Sequence, residues 1–198
     1  MRYGMRRIAS ILFGFCGVAA VAYAAESAAP WRSLGDKAPE INVDFVQGDP
    51  ITLAQNPGTH VFVIEFWATW CAPCRYTAPH LSELQSKYTD QGLVVIGISG
   101  ETDDLVRPYV EKMGAEMSYR VATDRARTTA SRFFEGFGRD ETLPTAYVID
   151  GNSRVAWIGN PANPFMDTLI GKLVADLPRV AAEAKGAAAN QSKDGASK

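Results

Sequence analysis

The sequence predicts an α/β fold in which helices pack against a mixed β-sheet. Two nearly uninterrupted apolar runs, Val61 to Trp67 and Leu93 to Ser99, are typical of strands buried on both faces. A helical pattern separates them, and a hairpin and a final helix follow, which is the element order of an α/β sandwich. The 198 residues are 46% hydrophobic and 21% charged. That composition is globular and excludes a collagen-like or wholly disordered chain.

Charge and residue counts exclude further classes of protein. The 20 basic residues nearly balance the 22 acidic ones, whereas a nucleic-acid-binding chain is usually far more basic. Three cysteines are too few for a small disulfide-dense secreted domain, and two histidines leave little for a histidine-rich metal site.

The first 24 residues have the pattern of a secretory signal peptide. Three arginines precede an apolar run, and Ala22-Tyr23-Ala24 forms a small-x-small cleavage site. The run of about 14 residues is shorter than the roughly 20 that span a bilayer, so an uncleaved anchor is the alternative reading. Cys16 lies inside this run and would leave with the signal. We therefore expect a periplasmic or otherwise exported protein with two cysteines, Cys71 and Cys74, which an oxidising compartment allows to pair.

The mature chain begins with a predicted linker and an edge strand. Residues 25–34 are small and polar, and a regular pattern starts near Gly35. Ile41, Val43 and Phe45 alternate with polar neighbours, which is typical of a strand buried on one face. We expect this strand to extend the central sheet at its N-terminal side.

The remaining elements follow from apolar spacing and turn residues. Helices are predicted over Pro73 to Asp90, over 103–113 and near Arg125 to Phe134, and a hairpin joins strands Thr145 to Ile149 and Val155 to Ile158. The last helix starts at Asn163 as cap and Pro164, and is expected to bury Phe165, Leu169, Leu173 and Leu177. The tail, 181–198, has no large apolar residue and is predicted to be disordered.

A Cys-x-x-Cys pair lies where the first buried strand meets the following helix. The two-residue spacer lets the sulfurs of Cys71 and Cys74 come within bonding distance in one helical turn. Free N–H groups and the helix dipole favour a thiolate at Cys71. Cys74 is expected to be more buried, a poor attacker but well placed to resolve a mixed disulfide. Pro73 suits the helix start, and Trp70 is expected to shield one flank.

Two other interpretations of the cysteine pair are weaker. A zinc site needs about four ligands, and the mature chain offers only His60 and His80 beyond the pair. A purely structural disulfide would close almost no loop and so stabilise little. We expect redox chemistry, with no metal and no cofactor.

These residues resemble the thioredoxin superfamily, and most closely its exported TlpA/ResA-like branch of thiol–disulfide oxidoreductases. The resemblance covers about residues 35–180 and rests on four pieces: Gly35-Asp36-Lys37-Ala38-Pro39, the Phe66 to Cys74 core, Pro79, and Leu143-Pro144-Thr145. It implies a thioredoxin-like three-layer sandwich with a central mixed sheet and an N-terminal strand extension.

The resemblance also implies roles for residues outside the cysteine pair. Pro144 matches the family's cis-proline, and the backbone of Leu143 and Thr145 would pair with an extended partner segment, beside Trp70 and Pro73. Glu65 lies where many thioredoxins place a buried acid. A raised pKa would suit Glu65 for proton exchange with the second cysteine, while pairing with a Lys or Arg is the alternative.

One position departs from the branch. Many members carry an acid three residues after the second cysteine, where this chain has Thr77, so substrate preference and that acid's role are not carried over. The implied activity is protein thiol–disulfide exchange, and the resemblance favours reduction of partner disulfides over oxidation of partner dithiols. Implied partners are exported proteins with disulfides or dithiols, including apocytochrome c or copper-site cysteines, and a membrane protein that donates electrons.

Two alternative functions use the same fold. Exported copper chaperones of this fold generally have wider cysteine spacing and a distant downstream histidine, and this chain has none after His80. Thiol peroxidases need a Thr three residues before the reactive Cys, whereas Thr69 is two residues before Cys71. Both alternatives are therefore less favoured than the oxidoreductase.

Overall fold

A computed structural model describes residues 32–54 and 58–195. The predicted signal segment 1–24, Cys16 within it and most of the predicted linker lie outside the described residues. The described part contains six strands, β1 (Asp44–Gln47), β2 (Val61–Trp67), β3 (Leu93–Ser99), β4 (Arg120–Thr123), β5 (Thr145–Ile149) and β6 (Val155–Gly159). Its four α-helices are α1 (Ala72–Tyr88), α2 (Asp103–Met113), α3 (Thr128–Phe134) and α4 (Pro164–Gly195).

The strands form one mixed sheet in the order β1-β4-β3-β2-β5-β6. β2 and β3 are parallel neighbours, as are β3 and β4, while β1, β5 and β6 pair antiparallel with their neighbours. The predicted buried strands are the two central ones, and every residue of both is buried. The predicted α/β class with a mixed sheet, including the N-terminal edge strand, is confirmed.

Side-chain alternation along β2 divides the core between the two faces of the sheet. Val63 and Trp67 pack on one face with residues of α1 and α4, including Leu81 and Ile170. The intervening residues of β2, Phe62, Ile64 and Phe66, pack on the other face with α3. Helices therefore cover both faces of the sheet, and the cysteine pair lies on the side of α1.

Three details differ from the sequence prediction. β4 was not predicted, because four residues are too few to show a strand period. Phe165, predicted to be buried, is 57% exposed in the first turn of α4, whereas Leu177 further along that helix is buried. The helix α4 continues to Gly195, into the tail 181–198, whose disorder stays a prediction. An Ala- and Lys-rich stretch without large apolar residues is also a strong helix former.

Candidate active site

The two cysteines form a disulfide at the start of α1. β2 ends at Trp67, a short loop follows, and Cys71 is the N-cap residue of the helix. The Cys71–Cys74 S–S distance is 2.02 Å, and the Cys74 N–H donates a hydrogen bond to Cys71 Sγ over 3.3 Å. Pro73 lies in the first turn, as predicted. Strand, loop and helix start thus place both sulfurs at the carboxyl end of the central strand β2.

Burial does not distinguish the two cysteines in this disulfide form. Cys71 is 4% exposed and Cys74 is 3% exposed, so Cys74, expected to be the more buried, is so only marginally. A direct bond between the sulfurs holds them at similar depth. The exposed surface of the site belongs instead to Trp70, which precedes Cys71 and is 73% exposed, and to Pro73, which precedes Cys74. Position at the helix terminus, rather than burial, therefore separates the two cysteines.

Glu65 lies in β2, is 1% exposed, and has its side chain on the face of the sheet that α1 covers. The Thr77 hydroxyl lies 3.2 Å from Glu65 Oε1, and the Tyr119 hydroxyl donates to Oε2 over 3.1 Å. Both partners are neutral hydroxyl groups, so the alternative pairing with a Lys or Arg is not seen among the described residues. The structure thus brings Glu65 and the residue that departs from the branch, Thr77, into direct contact.

The buried carboxyl of Glu65 has a strongly shifted proton affinity. Burial raises the pKa of Glu65 from its ordinary 4.5 to about 7, while the hydrogen bonds from Tyr119 and Thr77 oppose the rise because they favour the charged form. Burial and the nearby Glu65 charge raise the pKa of Tyr119 well above its ordinary value, which keeps its hydroxyl protonated as a donor. Glu65 therefore titrates near neutral pH, where a proton acceptor or donor is most effective.

Gly97 makes room for this hydrogen-bonded group. It is the residue of β3 paired with Glu65. A Cβ atom at Gly97 would lie 2.9 Å from Tyr119 Cε2, closer than real Cβ contacts, and 3.0 Å from Trp67 Nε1, which is unusually tight. The glycine therefore allows the Tyr119 ring to cross β3 and reach the carboxyl.

A second acid, Glu101, anchors the loop that carries Cys71. Its carboxylate accepts hydrogen bonds from the Thr69 backbone N–H and hydroxyl, both at 2.7 Å, and from the Ser99 hydroxyl at 3.1 Å. The end of β3 is thereby tied to the loop after β2. The sequence analysis missed this contact. A signal for it existed, because Glu101 follows β3, and the carboxyl ends of the parallel strands β2 and β3 lie at the same edge of the sheet.

The Leu143–Pro144 segment leads into β5, which pairs with β2 along the edge away from β3. Its peptide bond is cis, as the resemblance implied. Thr145 is the first residue of β5 and pairs with Phe66, so the segment runs beside the strand end that leads to the cysteines. A cavity of about 490 Å³ lies there, lined in part by Trp70, Leu143 and Glu101. Two of the four predicted substrate-binding residues, Trp70 and Leu143, thus line the same cavity, whereas Thr145 and Pro73 do not line it.

The histidines take no part in this arrangement. His80 Nε2 lies 3.0 Å from Asp167 Oδ1, which links α1 to α4, and His60 packs against Phe62 at a ring distance of 5.7 Å. Over 32–54 and 58–195, no three His, Cys, Asp or Glu side chains are grouped as a metal site would require.

Comparisons with known proteins agree with this geometry. Residues 34–158 match the AhpC/TSA family. The chain is 32% identical over 123 residues to the thiol-disulfide oxidoreductase ResA of Bacillus anthracis. The aligned segment covers 62% of this chain and 66% of that protein. The corresponding ResA of Geobacillus kaustophilus is 29% identical over 127 residues, covering 64% and 68%. The chain thus spans about two thirds of the length of these relatives.

A solved structure shows the same architecture. A thiol:disulfide interchange protein of the thioredoxin family from Chlorobium tepidum has a TM-score of 0.60 and 25% identity, covering 72% of this chain and 99% of that one. The fold is therefore thioredoxin-like, as the sequence resemblance implied.

Proposed function

Since this chain belongs to the AhpC/TSA family and has a thioredoxin-like fold, we propose that it is a thiol–disulfide oxidoreductase acting on exported proteins, chiefly as a reductase. The observation that carries the proposal is the Cys71–Cys74 disulfide at the start of α1, the helix whose Thr77 contacts the buried carboxyl of Glu65. The relatives named above carry the same activity in their names.

The reducing reaction starts from the dithiol form. The Cys71 thiolate attacks one sulfur of a partner disulfide, a mixed disulfide forms, and the other partner sulfur leaves as a thiolate that takes up a proton. Cys74 then gives its proton to the Glu65 carboxylate and attacks Cys71 Sγ, which releases the second partner thiolate. Two electrons pass from the cysteine pair to the partner, and the protein is left with the observed disulfide.

Cys71 is the attacker in this scheme because of its place on the helix. The N-terminal N–H groups of α1 and the helix dipole stabilise a negative charge at the N-cap position. The Cys74 N–H already points at Cys71 Sγ over 3.3 Å, and the same donor lowers the energy of a thiolate there. Cys74 lies one turn further in, without such free backbone donors.

The partner segment is proposed to dock between Trp70 and the Leu143–Pro144–Thr145 segment. Trp70 is exposed and lines the cavity together with Leu143. An extended segment hydrogen-bonded to the backbone beside Leu143 would run past the sulfurs, in the mode of an added β-strand. Pro144 is assigned with the catalytic residues because it matches the family's cis-proline; the Leu143–Pro144 bond is cis, and the next residue, Thr145, pairs with Phe66 of β2.

Export and electron supply complete the proposal. The signal pattern at 1–24 supports cleavage and a periplasmic location. Among the described residues, no helix has the length and apolar character to cross a membrane. A reductase in an oxidising compartment needs an electron-donating membrane partner, and the cysteines of apocytochrome c or of copper sites are the proposed substrates.

The peroxidase alternative is not favoured. Thr69 stands at the wrong offset from Cys71, and its hydroxyl donates to Glu101 rather than facing a sulfur. The copper-chaperone alternative stays a prediction, for which copper titration of the reduced protein is the test.

Trapping of intermediates tests the proposed reaction. A tagged Cys74→Ser protein should accumulate mixed disulfides with partner proteins through Cys71, because the resolving thiol is absent. Cys71→Ser is the matched control, since it keeps one cysteine in the same turn. Adducts on non-reducing gels should appear with Cys74→Ser and be at least tenfold fewer with Cys71→Ser. Equal adducts in both variants, or none in either, would contradict the assignment.

A further inference from the structure

The hydroxyl of Thr77 has two acceptors and one hydrogen. Thr77 is buried on α1, one turn after Cys74. Its Oγ1 lies 3.0 Å from the Cys74 carbonyl oxygen and 3.2 Å from Glu65 Oε1. A hydroxyl donates one hydrogen and accepts through its lone pairs, so Thr77 can donate to only one of these oxygens at a time.

The protonation state of Glu65 decides which oxygen receives that hydrogen. An ionised carboxylate only accepts, so Thr77 and Tyr119 both donate to it, and the Cys74 carbonyl loses the Thr77 hydrogen. A protonated Glu65 can donate from Oε1 to Thr77 Oγ1, and the Thr77 hydrogen then goes to the Cys74 carbonyl. The hydroxyl therefore reverses its direction when Glu65 gains or loses a proton.

We propose that Thr77 is a positioning residue that sets the proton affinity of Glu65 and links its protonation to the backbone turn carrying Cys74. This inference rests on the proposed function, since it assigns the Glu65 proton to the resolving cysteine. Thr77 takes the place that an acid has in many members of the branch. A neutral hydroxyl there stabilises the Glu65 carboxylate, whereas a second acid would repel it.

The groups around Glu65 leave Thr77 and Tyr119 as its direct donors. Tyr119 approaches Glu65 from the segment before β4, and Thr77, which also contacts the Cys74 carbonyl, approaches it from α1. On β3 the residue paired with Glu65 is a glycine, and on β5 it is Ala146. Further charged groups lie in the same region. Tyr109 of α2 is acted on electrostatically by Glu65 and also by one cation and two acids, Arg75, Glu101 and Glu116.

Infrared titration of the oxidised protein tests the inference without any exchange reaction. Removing a hydrogen bond to a charged group in Thr77→Val should raise the pKa of Glu65 by about one unit above its value of about 7. Val keeps the shape and the β-branching of Thr, so helix propensity is little changed. Thr77→Ser keeps the hydroxyl and should leave that pKa within about 0.3 of the wild type.

Thr129→Val is the matched control for losing a buried hydroxyl. Thr129 lies on α3, which packs on the other face of the sheet, and its hydroxyl donates to the Asn42 carbonyl and accepts from the Asn42 N–H. This variant should leave the Glu65 pKa unchanged. An unchanged pKa in Thr77→Val would overturn the inference, because Thr77 would then serve only the Cys74 carbonyl. Should Thr77→Val not fold, Thr77→Ala is titrated with the same expected rise and the same contradicting result.

Kinetics give a second readout. A rise from about 7 to about 8 lowers the ionised fraction of Glu65 at pH 7 from one half to about one tenth. The resolving step of Thr77→Val should therefore be about fivefold slower than that of Thr77→Ser at pH 7, with the two rates converging above pH 9. A ratio that does not change with pH would contradict the role of Thr77. A wild type that never exchanges would instead refute the proposed function and leave the titration result standing.

Discussion

Replacing Glu65 by Gln should make the protein more stable above neutral pH. Glu65 is 1% exposed in the sheet, and its burial raises the pKa from 4.5 to about 7. Gln keeps the size of the side chain and, like a protonated Glu65, has one hydrogen-bond donor group and one acceptor oxygen, yet it never becomes charged. The variant therefore resembles the protonated wild type at every pH.

The raised pKa fixes both the direction and the size of the effect. Between pH 4.5 and 7, folded Glu65 holds a proton that the unfolded chain has lost, so the free energy of unfolding falls as pH rises through this window. The stabilisation of the fold by the proton on Glu65 is fully present below about pH 4.5 and is lost above about pH 7. A pKa difference of about 2.5 corresponds to about 3 kcal/mol.

Urea unfolding of the oxidised protein from pH 4.5 to 8.5 measures this loss, because disulfide-bonded cysteines do not titrate. The free energy of Glu65→Gln minus that of the wild type should rise by about 3 kcal/mol across the range. Glu83→Gln is the control, since Glu83 is exposed on α1 and its loss also removes one carboxylate. A difference for Glu65→Gln that stays constant with pH would refute the raised pKa and the proton role built on it.

Three further changes test the packing on the two faces of the sheet and the hydrogen bonds of Glu101. Phe133→Ala empties a fully buried position beside Tyr147 and should lower the free energy of unfolding by about 3–5 kcal/mol; a loss below about 1 kcal/mol would contradict this packing. Gly97→Ala forces a Cβ against Tyr119, so we expect about 1–3 kcal/mol of destabilisation and a higher Glu65 pKa by infrared titration, and an unchanged pKa would count against this route. Glu101→Gln replaces one acceptor oxygen by an amide donor, which faces the N–H and hydroxyl donors of Thr69. The Thr69 amide should therefore exchange with deuterium at least tenfold faster than in the wild type. Equal exchange rates would show that Glu101 does not hold the loop.

Sequence pattern sufficed for the elements that are long or wholly apolar. β2 and β3 are uninterrupted apolar runs, so their burial and central place follow from composition alone. The cysteine pair between a buried strand and a helix start was equally visible, because spacing and flanking residues are local properties. The hairpin of β5 and β6 was marked by the turn residues between the strands.

Contacts across the sheet were not predictable from local pattern. Tyr119 reaches Glu65 past Gly97, the residue of β3 that pairs with Glu65, and such a pairing joins residues far apart in the chain. Thr77 was visible as a departure from the branch, but its contact with Glu65 depends on how α1 packs against β2. The C-terminal extension of α4 was missed because one composition favours both disorder and helix.

The most direct test of the redox claim is equilibration of the folded protein with dithiothreitol or glutathione buffers, followed by alkylation and mass measurement. The proposed function predicts one two-electron transition. Cys71 and Cys74 should both be alkylated on the reducing side and neither on the oxidising side, with a midpoint between about −270 and −120 mV. A pair that stays closed in the folded protein under all these buffers, and opens only after unfolding, would contradict the oxidoreductase assignment.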